Sequence, residues 1–182
     1  MMSKRIVLLI IVLLAASFGI AISGCGANGK NGGAGETGVL SASERFAADF
    51  TVYTATGEEV RLSALRGQPV IVNFFATWCP PCKAELPDFD SAAARYGDRI
   101  CFLMVDLLGG YSESVAGTQQ FTEENGYSFP LYFDITGEAA DAYSVTSIPT
   151  TLAVDAEGRL VYSHTGMLSA AEIETLINSL LP

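Results

Sequence analysis

Residues 70–83 read Val-Ile-Val-Asn-Phe-Phe-Ala-Thr-Trp-Cys-Pro-Pro-Cys-Lys. The apolar run that opens this stretch is typical of a buried strand, and the spacing of the apolar residues after it predicts a helix that reaches Tyr96. Cys79 and Cys82 stand two residues apart at the junction of these two elements. A Cys-x-x-Cys pair at a strand-to-helix junction indicates thiol redox chemistry.

The position of Cys79 favours its reactivity. It directly precedes a predicted helix, whose unpaired N–H groups and macrodipole favour a negatively charged sulfur. Lowering a thiol pKa from about 8.5 to about 7 corresponds to roughly 2 kcal/mol in favour of the thiolate. Such a thiolate attacks a disulfide, and the second thiol, here Cys82, then resolves the mixed disulfide.

Two structural interpretations compete with the redox pair: half of a zinc site, and a plain structural disulfide. A structural zinc site needs a second pair of ligands. The remaining candidates, Cys25, Cys101 and His164, each stand singly in the chain. The sequence therefore predicts no metal site and no cofactor. Cys101 is expected to be a small hydrophobe in a buried strand, and His164 is expected to face solvent or the core.

The first 24 residues predict an export signal. Lys4 and Arg5 precede an uncharged apolar run over residues 6–22. The sequence Ile22-Ser23-Gly24-Cys25 resembles a bacterial lipobox, in which the signal is cut before the cysteine and the thiol is lipidated. The alternative is an uncleaved membrane helix, for which this run is at the short limit. In both cases the folded part is predicted to be extracytoplasmic and anchored to a bacterial membrane.

The remainder of the chain is predicted to consist of a linker and one domain. Residues 25–42, a lipidated Cys25 and a Gly-rich stretch, predict a flexible tether, and the coil from residue 26 to about 44 has a reach of roughly 25 Å. Residues 43–182 predict the domain. The chain has 10 basic and 20 acidic residues, so the loss of Lys4 and Arg5 with the signal leaves a charge of −12. This charge argues against binding to nucleic acid and to anionic lipid head groups.

Strands and helices alternate in the predicted domain. A β-hairpin comes first, two central strands run parallel through the helix after the cysteines, and a second hairpin precedes a last helix with a capping box at Ser169. Pro87 lies inside the first helix and is expected to kink it. The predicted strands are residues 50–53, 59–62, 70–75, 100–105, 129–134, 151–155 and 159–163, and the other predicted helices are 112–125, 139–143 and the segment from 169 onward.

Residues 72–87 read Val-Asn-Phe-Phe-Ala-Thr-Trp-Cys-Pro-Pro-Cys-Lys-Ala-Glu-Leu-Pro. They resemble the TlpA/ResA type of the thioredoxin superfamily, the membrane-anchored extracytoplasmic thiol–disulfide oxidoreductases. The likeness covers about residues 43–182 and implies an α/β thioredoxin fold, with a central mixed β-sheet flanked by helices. The N-terminal β-hairpin and the stretch Leu107–Pro130 resemble the family's additions, the latter being an insertion after the second core strand.

The resemblance implies roles for individual residues. Cys79 and Cys82 would form the redox-active disulfide, with Cys79 as the attacking and Cys82 as the resolving thiol. Ser147-Ile148-Pro149-Thr150 resembles the superfamily's cis-proline loop, in which the backbone of Ile148 would bind an extended substrate strand and Pro149 would shape the groove. The other predicted substrate-binding residues are Trp78, Pro80 and Pro81.

Glu85 and Trp78 each have two interpretations. Asn73 stands where thioredoxin has a buried acid, and an amide cannot take a proton from Cys82. Glu85, one helical turn after Cys82, would shuttle protons as the family's acidic residue near the active site does, or would merely complement the helix dipole. Trp78 would pack beside the disulfide and shield it, or would be a core tryptophan.

The resemblance implies an enzyme that reduces disulfides of exported proteins, including the haem-binding Cys-x-x-Cys-His of apocytochrome c. A membrane-bound electron donor and a monomeric domain are expected. The first alternative is an oxidant of the same fold, because the reduction potential depends on the relative stability of the two redox forms. A copper-binding chaperone that uses His164 is the second, although such proteins typically place their cysteines three residues apart. A peroxiredoxin is disfavoured, because its Pro-x-x-x-Thr-x-x-Cys pattern is absent around Cys79.

Overall fold

The apolar run before the cysteines forms an interior strand of a seven-stranded mixed sheet. In a computed structural model that describes residues 46–108 and 113–182, the strand order is β2-β1-β5-β4-β3-β6-β7, numbered along the chain. Strand β3 (Val70–Phe75) is parallel to β4 (Cys101–Asp106), and β4 is parallel to β5 (Leu131–Phe133). Every other pairing is antiparallel. The strands are β1 (Thr51–Tyr53), β2 (Glu59–Arg61), β3 (Val70–Phe75), β4 (Cys101–Asp106), β5 (Leu131–Phe133), β6 (Thr150–Val154) and β7 (Leu160–Thr165).

Helices and loops cover both faces of the sheet, and β3 is therefore buried at all six positions. Its side chains alternate between two cores. Ile71 and Phe75 pack into a core shared with the first and last helices, whereas Val72 and Phe74 pack into a core shared with Phe50. The helices are α1 (Pro80–Tyr96), α2 (Val115–Glu124), α3 (Glu138–Ala142) and α4 (Ala170–Leu180).

The predicted central mixed sheet flanked by helices is confirmed, and so is the N-terminal hairpin. The hairpin joins the sheet beside the insertion, because Tyr53 of β1 lies opposite Phe133 of β5. The predicted start of α2 at residue 112 is wrong. The Ser114 hydroxyl accepts the N–H of Gly117 at 3.1 Å, so Ser114 is the N-cap and the helix begins at Val115.

The two hairpin strands near the C-terminus, β6 and β7, bring the last helix back to the sheet. β7 is longer than predicted and runs through His164 to Thr165, with β6 as its antiparallel partner. The predicted capping box at Ser169 is confirmed. Pro87 lies inside α1, which continues to Tyr96, and its predicted kink stays a prediction.

The predictions for residues 1–45 lie outside the described residues. They comprise the export signal over 1–24, the lipidated Cys25 and the linker to residue 42. In the part of the chain that the structure describes, no helix has both the length and the apolar character needed to cross a membrane.

Candidate active site

The two cysteines are positioned by the junction between β3 and α1. Cys79 is the N-cap of α1, and its sulfur accepts the N–H of Cys82 at 3.3 Å. Pro80 and Pro81 occupy the first helical positions, where a missing N–H costs little. The cysteines form a disulfide with 5.3 Å between their Cα atoms. Both cysteines are buried, but Cys79 retains 3% exposure and Cys82 retains none, so Cys79 is the more accessible of the two.

The loop before β6 faces this disulfide. The predicted cis bond between Ile148 and Pro149 is confirmed, and the carbonyl oxygen of Ile148 lies 3.7 Å from the sulfur of Cys79. The position of this loop follows from the sheet, because Thr150, the first residue of β6, pairs with Phe74 near the end of β3. The structure thus brings together residues that are about 70 positions apart in the sequence.

An apolar groove of about 160 Å³ adjoins Cys79. Ala76 and Trp78 line one part of it, and Leu107 and residues 145–148 line the rest. Trp78 is 50% exposed, so the interpretation as a core tryptophan is wrong. Pro80 and Pro81 are also exposed on this surface.

Glu85 lies inside α1, one turn after Cys82, with 1% exposure. One carboxylate oxygen accepts the side-chain N–H of Asn73 at 2.7 Å, and the other accepts the backbone N–H of Leu168 at 2.7 Å. The interpretation of Glu85 as a residue that only complements the helix dipole is wrong. The first turn of α1 contains no acidic residue, and the carboxylate of Glu85 accepts hydrogen bonds from buried donors. Sequence reasoning placed Glu85 near the cysteines but missed its contacts to Asn73 and Leu168.

The pKa of Glu85 is raised. Burial is the largest cause and the charge of Asp88 adds to it, while the hydrogen bonds from Leu168 and Asn73 act in the opposite direction. Asn73 also donates to the hydroxyl of Thr151 at 3.1 Å, and its own side-chain oxygen is buried without a partner. Because its pKa is raised, this carboxyl holds a proton to higher pH than an exposed glutamate does, which suits a group that exchanges protons with a thiol.

A pair of acidic residues near the cysteines, Asp106 and Glu113, was missed by sequence reasoning. Asp106 ends β4 in full burial, and the carboxylate of Glu113 accepts two hydrogen bonds from Thr77, which precedes Trp78. The sequence offered a signal for Asp106, which follows a predicted parallel strand, because side chains at the carboxyl end of parallel strands commonly line functional sites. Glu113 gave no local signal.

The other predicted residues lie apart from this site. Cys101 is half-buried rather than buried, because it opens an element whose next five residues are the buried ones, and desolvation raises the pKa of its thiol. His164 is half-buried in β7 and stacks on Tyr162. Within residues 46–108 and 113–182, no three His, Cys, Asp or Glu side chains form a group that could hold a metal ion, so His164 does not join the cysteines in one.

Known proteins show the same domain. A sequence profile of the AhpC/TSA family matches residues 44–163. The thioredoxin-like protein YneN of Bacillus subtilis is 33% identical over 128 residues, which are 70% of this chain and 74% of that protein. The thiol–disulfide oxidoreductase ResA of Bacillus subtilis is 30% identical over 136 residues, 75% of this chain and 74% of that protein.

The fold agrees with these matches. The crystal structure of the exposed lipoprotein thioredoxin Etrx1 from Streptococcus pneumoniae strain TIGR4 has 34% identity and a TM-score of 0.64, over 73% of this chain and all of that one. The predicted thioredoxin-like α/β fold is therefore confirmed. With a Cys-x-x-Cys disulfide at the start of α1 beside a cis-proline loop, the chain belongs to the AhpC/TSA family of thioredoxin-like proteins and is one of its thiol–disulfide oxidoreductases.

Proposed function

We propose that this chain is an extracytoplasmic, membrane-anchored reductant of disulfides in exported proteins, with Cys79 as the attacking thiol and Cys82 as the resolving thiol. The observation that carries the assignment is the position of Cys79, which is the N-cap of α1 and has its sulfur beside the Ile148–Pro149 loop. The sulfur of Cys79 lies 3.7 Å from the backbone carbonyl oxygen of Ile148 and the residue retains 3% exposure, whereas Cys82 retains none.

The reaction follows from this geometry. In the reduced chain, the thiolate of Cys79 attacks one sulfur of a substrate disulfide, which forms a mixed disulfide and releases the other substrate sulfur as a thiolate. The N–H of Cys82 and the start of α1 stabilise the negative sulfur of Cys79 before the attack. Cys82 then attacks Cys79, which releases the second substrate sulfur and leaves the disulfide present in the structure.

Glu85 supplies a route for the proton of Cys82. The second step requires Cys82 as a thiolate, yet its full burial favours the neutral thiol. The carboxyl of Glu85 lies one turn along the same helix and has a raised pKa, so it can accept that proton as Cys82 attacks.

The substrate is bound as an extended strand. The polar backbone of Ile148 next to the cysteine sulfur suits main-chain hydrogen bonding by a peptide, and the adjoining groove suits its apolar side chains. Trp78, Pro80, Pro81 and Pro149 would complete this surface. The Cys-x-x-Cys-His segment of an apocytochrome c fits the proposal as a substrate, because a disulfide in that segment would block haem attachment.

The cellular setting is part of the proposal. The export signal over residues 1–24, lipidation at Cys25 and a linker to residue 42 would place the 43–182 domain outside the cytoplasm and near the membrane. The similar Etrx1 of Streptococcus pneumoniae is an exposed lipoprotein, which supports this arrangement. Each turnover oxidises the dithiol, so a membrane-bound donor must return two electrons to it.

The assignment of the two thiols is tested by replacing each cysteine. Cys82→Ser is expected to accumulate a mixed disulfide with a disulfide-containing peptide, and Cys79→Ser is expected to form none. Mass spectrometry of the trapped adduct measures both outcomes. Adduct formation through Cys82 in the Cys79→Ser variant would contradict the assignment.

The direction of the reaction is tested by the reduction potential of the pair, set against glutathione buffers. A value near that of thioredoxin, about −270 mV, is expected for a reductant. A value near −120 mV would instead identify an oxidant and overturn the proposed direction. The same protein incubated with an oxidised Cys-x-x-Cys-His peptide gives a direct measurement of disulfide reduction.

A further inference from the structure

The end of β4 carries a buried carboxyl that the cysteine chemistry does not use. Asp106 is fully buried, and both of its oxygens have donors. One accepts the backbone N–H of Leu108 at 2.8 Å, and the other accepts the hydroxyl of Thr118 at 2.5 Å. These contacts hold the carboxyl in place between β4 and α2.

Glu113 connects this region to the active-site loop. One of its carboxylate oxygens accepts both the backbone N–H and the hydroxyl of Thr77, each at 2.6 Å. Thr77 lies between the end of β3 and Cys79, in the same loop as Trp78. The side chain of Glu113 therefore fixes the backbone from which the reactive cysteine starts.

The second oxygen of Glu113 is buried without a hydrogen-bond partner. The carboxyl of Asp106 is its neighbour, since both the charge of Glu113 and a side-chain hydrogen bond with it act on the pKa of Asp106. The buried carboxylate of Asp106 and the half-buried carboxylate of Glu113 repel each other, and the unpaired buried oxygen of Glu113 is costly. One proton between the two groups removes both penalties, because it donates to the otherwise unpaired oxygen.

The other charged groups around Asp106 and Glu113 do not change the protonation argued for this pair. Burial is the largest cause that raises the pKa of Asp106, to about 6, and Glu113 is the one charged group of the described residues that contributes. β3 has no ionisable side chain, and the nearest acid after β5, Asp134, directs its carboxylate to the N–H groups of Ala139 and Ala140. The acids of α2, Glu123 and Glu124, lie at its opposite end.

We propose that Asp106 and Glu113 share one proton and are positioning residues for the disulfide chemistry, because the protonated pair holds Thr77 and with it the loop of Trp78 and Cys79. The inference rests on the proposed role of Cys79. When the pH rises and the proton leaves, repulsion from Asp106 weakens the hold of Glu113 on Thr77. Neither residue touches the substrate or the reacting sulfurs.

The chain contains a spectroscopic probe for this proposal, because Trp78 is its single tryptophan and follows Thr77 directly. In the oxidised protein, where the cysteines do not titrate, Trp78 fluorescence is expected to change between pH 4 and 8 with an inflection near 6. Asp106→Asn is expected to lack this inflection, because the amide donates permanently to Glu113. Glu85→Gln, the control for the other buried acid, is expected to retain it.

A second pair of variants tests positioning through exchange rates in the reduced protein. Glu113→Ala removes the acceptor of Thr77 and is expected to slow attack on a peptide disulfide by about ten- to a hundredfold. Glu113→Gln keeps an acceptor for Thr77 and a donor for Asp106, so it is expected to keep the wild-type rate with a flatter pH profile. Circular dichroism of each variant checks its folding.

The outcomes separate the two proposals. An inflection that persists in both Asp106→Asn and Glu113→Gln, or its absence from the wild type, overturns the shared proton. Equal exchange rates in Glu113→Ala and the wild type overturn the positioning role. Failure of the wild type to reduce any disulfide would instead count against the proposed function, since the fluorescence measurement on the oxidised chain does not depend on turnover.

Discussion

Asn73 and Glu85 form a buried amide–carboxyl pair one helical turn from Cys82. The amide gives one N–H to the carboxylate and one to Thr151, while its own oxygen has no donor. A neutral Glu85 would provide that donor if the amide of Asn73 rotated by half a turn. Protonation of Glu85 and the orientation of Asn73 are therefore linked, although the rotation would put the amide N–H groups where the oxygen now has no partner.

Glu85→Gln is expected to leave the fold intact and to remove one step from the pH dependence of thiol exchange. The glutamine has nearly the volume of the glutamate, and its side-chain oxygen can still accept the backbone N–H of Leu168. Because the folded pKa of Glu85 is raised, its stabilising effect is lost as the pH rises through that value, and the variant should gain stability relative to the wild type at higher pH. Chemical unfolding and exchange rates over a pH series measure both effects.

Glu85→Ala is the matched control. It leaves the N–H of Leu168 and one N–H of Asn73 without their acceptor, which is expected to cost roughly 1–3 kcal/mol for each group. A proton-shuttle role for Glu85 is contradicted if Glu85→Gln has the thiol titration and exchange rate of the wild type.

Cys101 is expected to react slowly with alkylating reagents in the folded protein. Desolvation raises the pKa of its thiol, which lowers the thiolate fraction near neutral pH. Iodoacetamide labelling of the oxidised protein, mapped by mass spectrometry with and without urea, measures the difference. Labelling of Cys101 at the same rate in both conditions would rule out protection by the fold.

At the scale of elements, α4 connects the end of the sheet to the buried acid of α1. The N–H of Leu168 that Glu85 accepts lies immediately before Ser169, the N-cap of α4. In the capping box, the N–H and hydroxyl of Ser169 both donate to the carboxylate of Glu172, at 2.8 and 2.7 Å. The start of α4 is thus held both by the capping box and by the contact with Glu85, which keeps the N–H of Leu168 in place to donate to Glu85.

Ser169→Ala is expected to lower the free energy of unfolding by about 1 kcal/mol, because it removes the side-chain cap of α4. Ser179→Ala makes the same chemical change in the last turn of the same helix, where the hydroxyl donates to the carbonyl of Leu176 at 2.6 Å, and is expected to change stability little because alanine is the better helix former. Urea denaturation of both variants measures the difference. Equal losses of stability in the two variants would show that the cap contributes nothing specific.

At the scale of the whole molecule, stability depends on pH through acidic groups whose pKa values are shifted in opposite directions. Burial raises the pKa of Asp106 to about 6, so its folded form binds a proton more strongly than the unfolded chain does. Burial also acts on Asp49, but hydrogen bonds from Ser63 and the charge of Arg61 lower the pKa of Asp49 overall. The contribution of Asp106 is therefore lost as the pH rises through about 6, and that of Asp49 is lost as the pH falls through its lowered value.

Asp106→Asn is expected to become more stable relative to the wild type as the pH increases from 4 to 7, by up to about 3 kcal/mol. The physical reason is that the wild type must give up a proton in a buried site and the amide does not. Asp49→Asn, the control with the opposite shift, is expected to show little pH-dependent difference between pH 4 and 7, because the pKa of Asp49 is lowered and its contribution changes only at lower pH. Unfolding free energies of the oxidised proteins at each pH measure both trends, and a pH-independent difference for Asp106→Asn would refute the raised pKa.

The sequence by itself determined the local features of this protein. The apolar run over 70–75, the cysteine pair at a helix start, the two hairpins and the capping box at Ser169 all depend on residues within a few positions of one another. Their side-chain period or spacing is therefore visible in the sequence. The same local pattern carried the resemblance that indicated thiol–disulfide chemistry.

Only the tertiary structure decided which distant residues meet. The pairing of Glu85 with Leu168 spans 83 positions, that of Asn73 with Thr151 spans 78, and that of Thr77 with Glu113 spans 36. Each depends on the order β4-β3-β6 in the sheet and on where the loops cross its edge. Hydrophobic periodicity specifies which face of an element is buried, but the protonation of a buried acid is set by the few polar groups that the folded sheet places beside it.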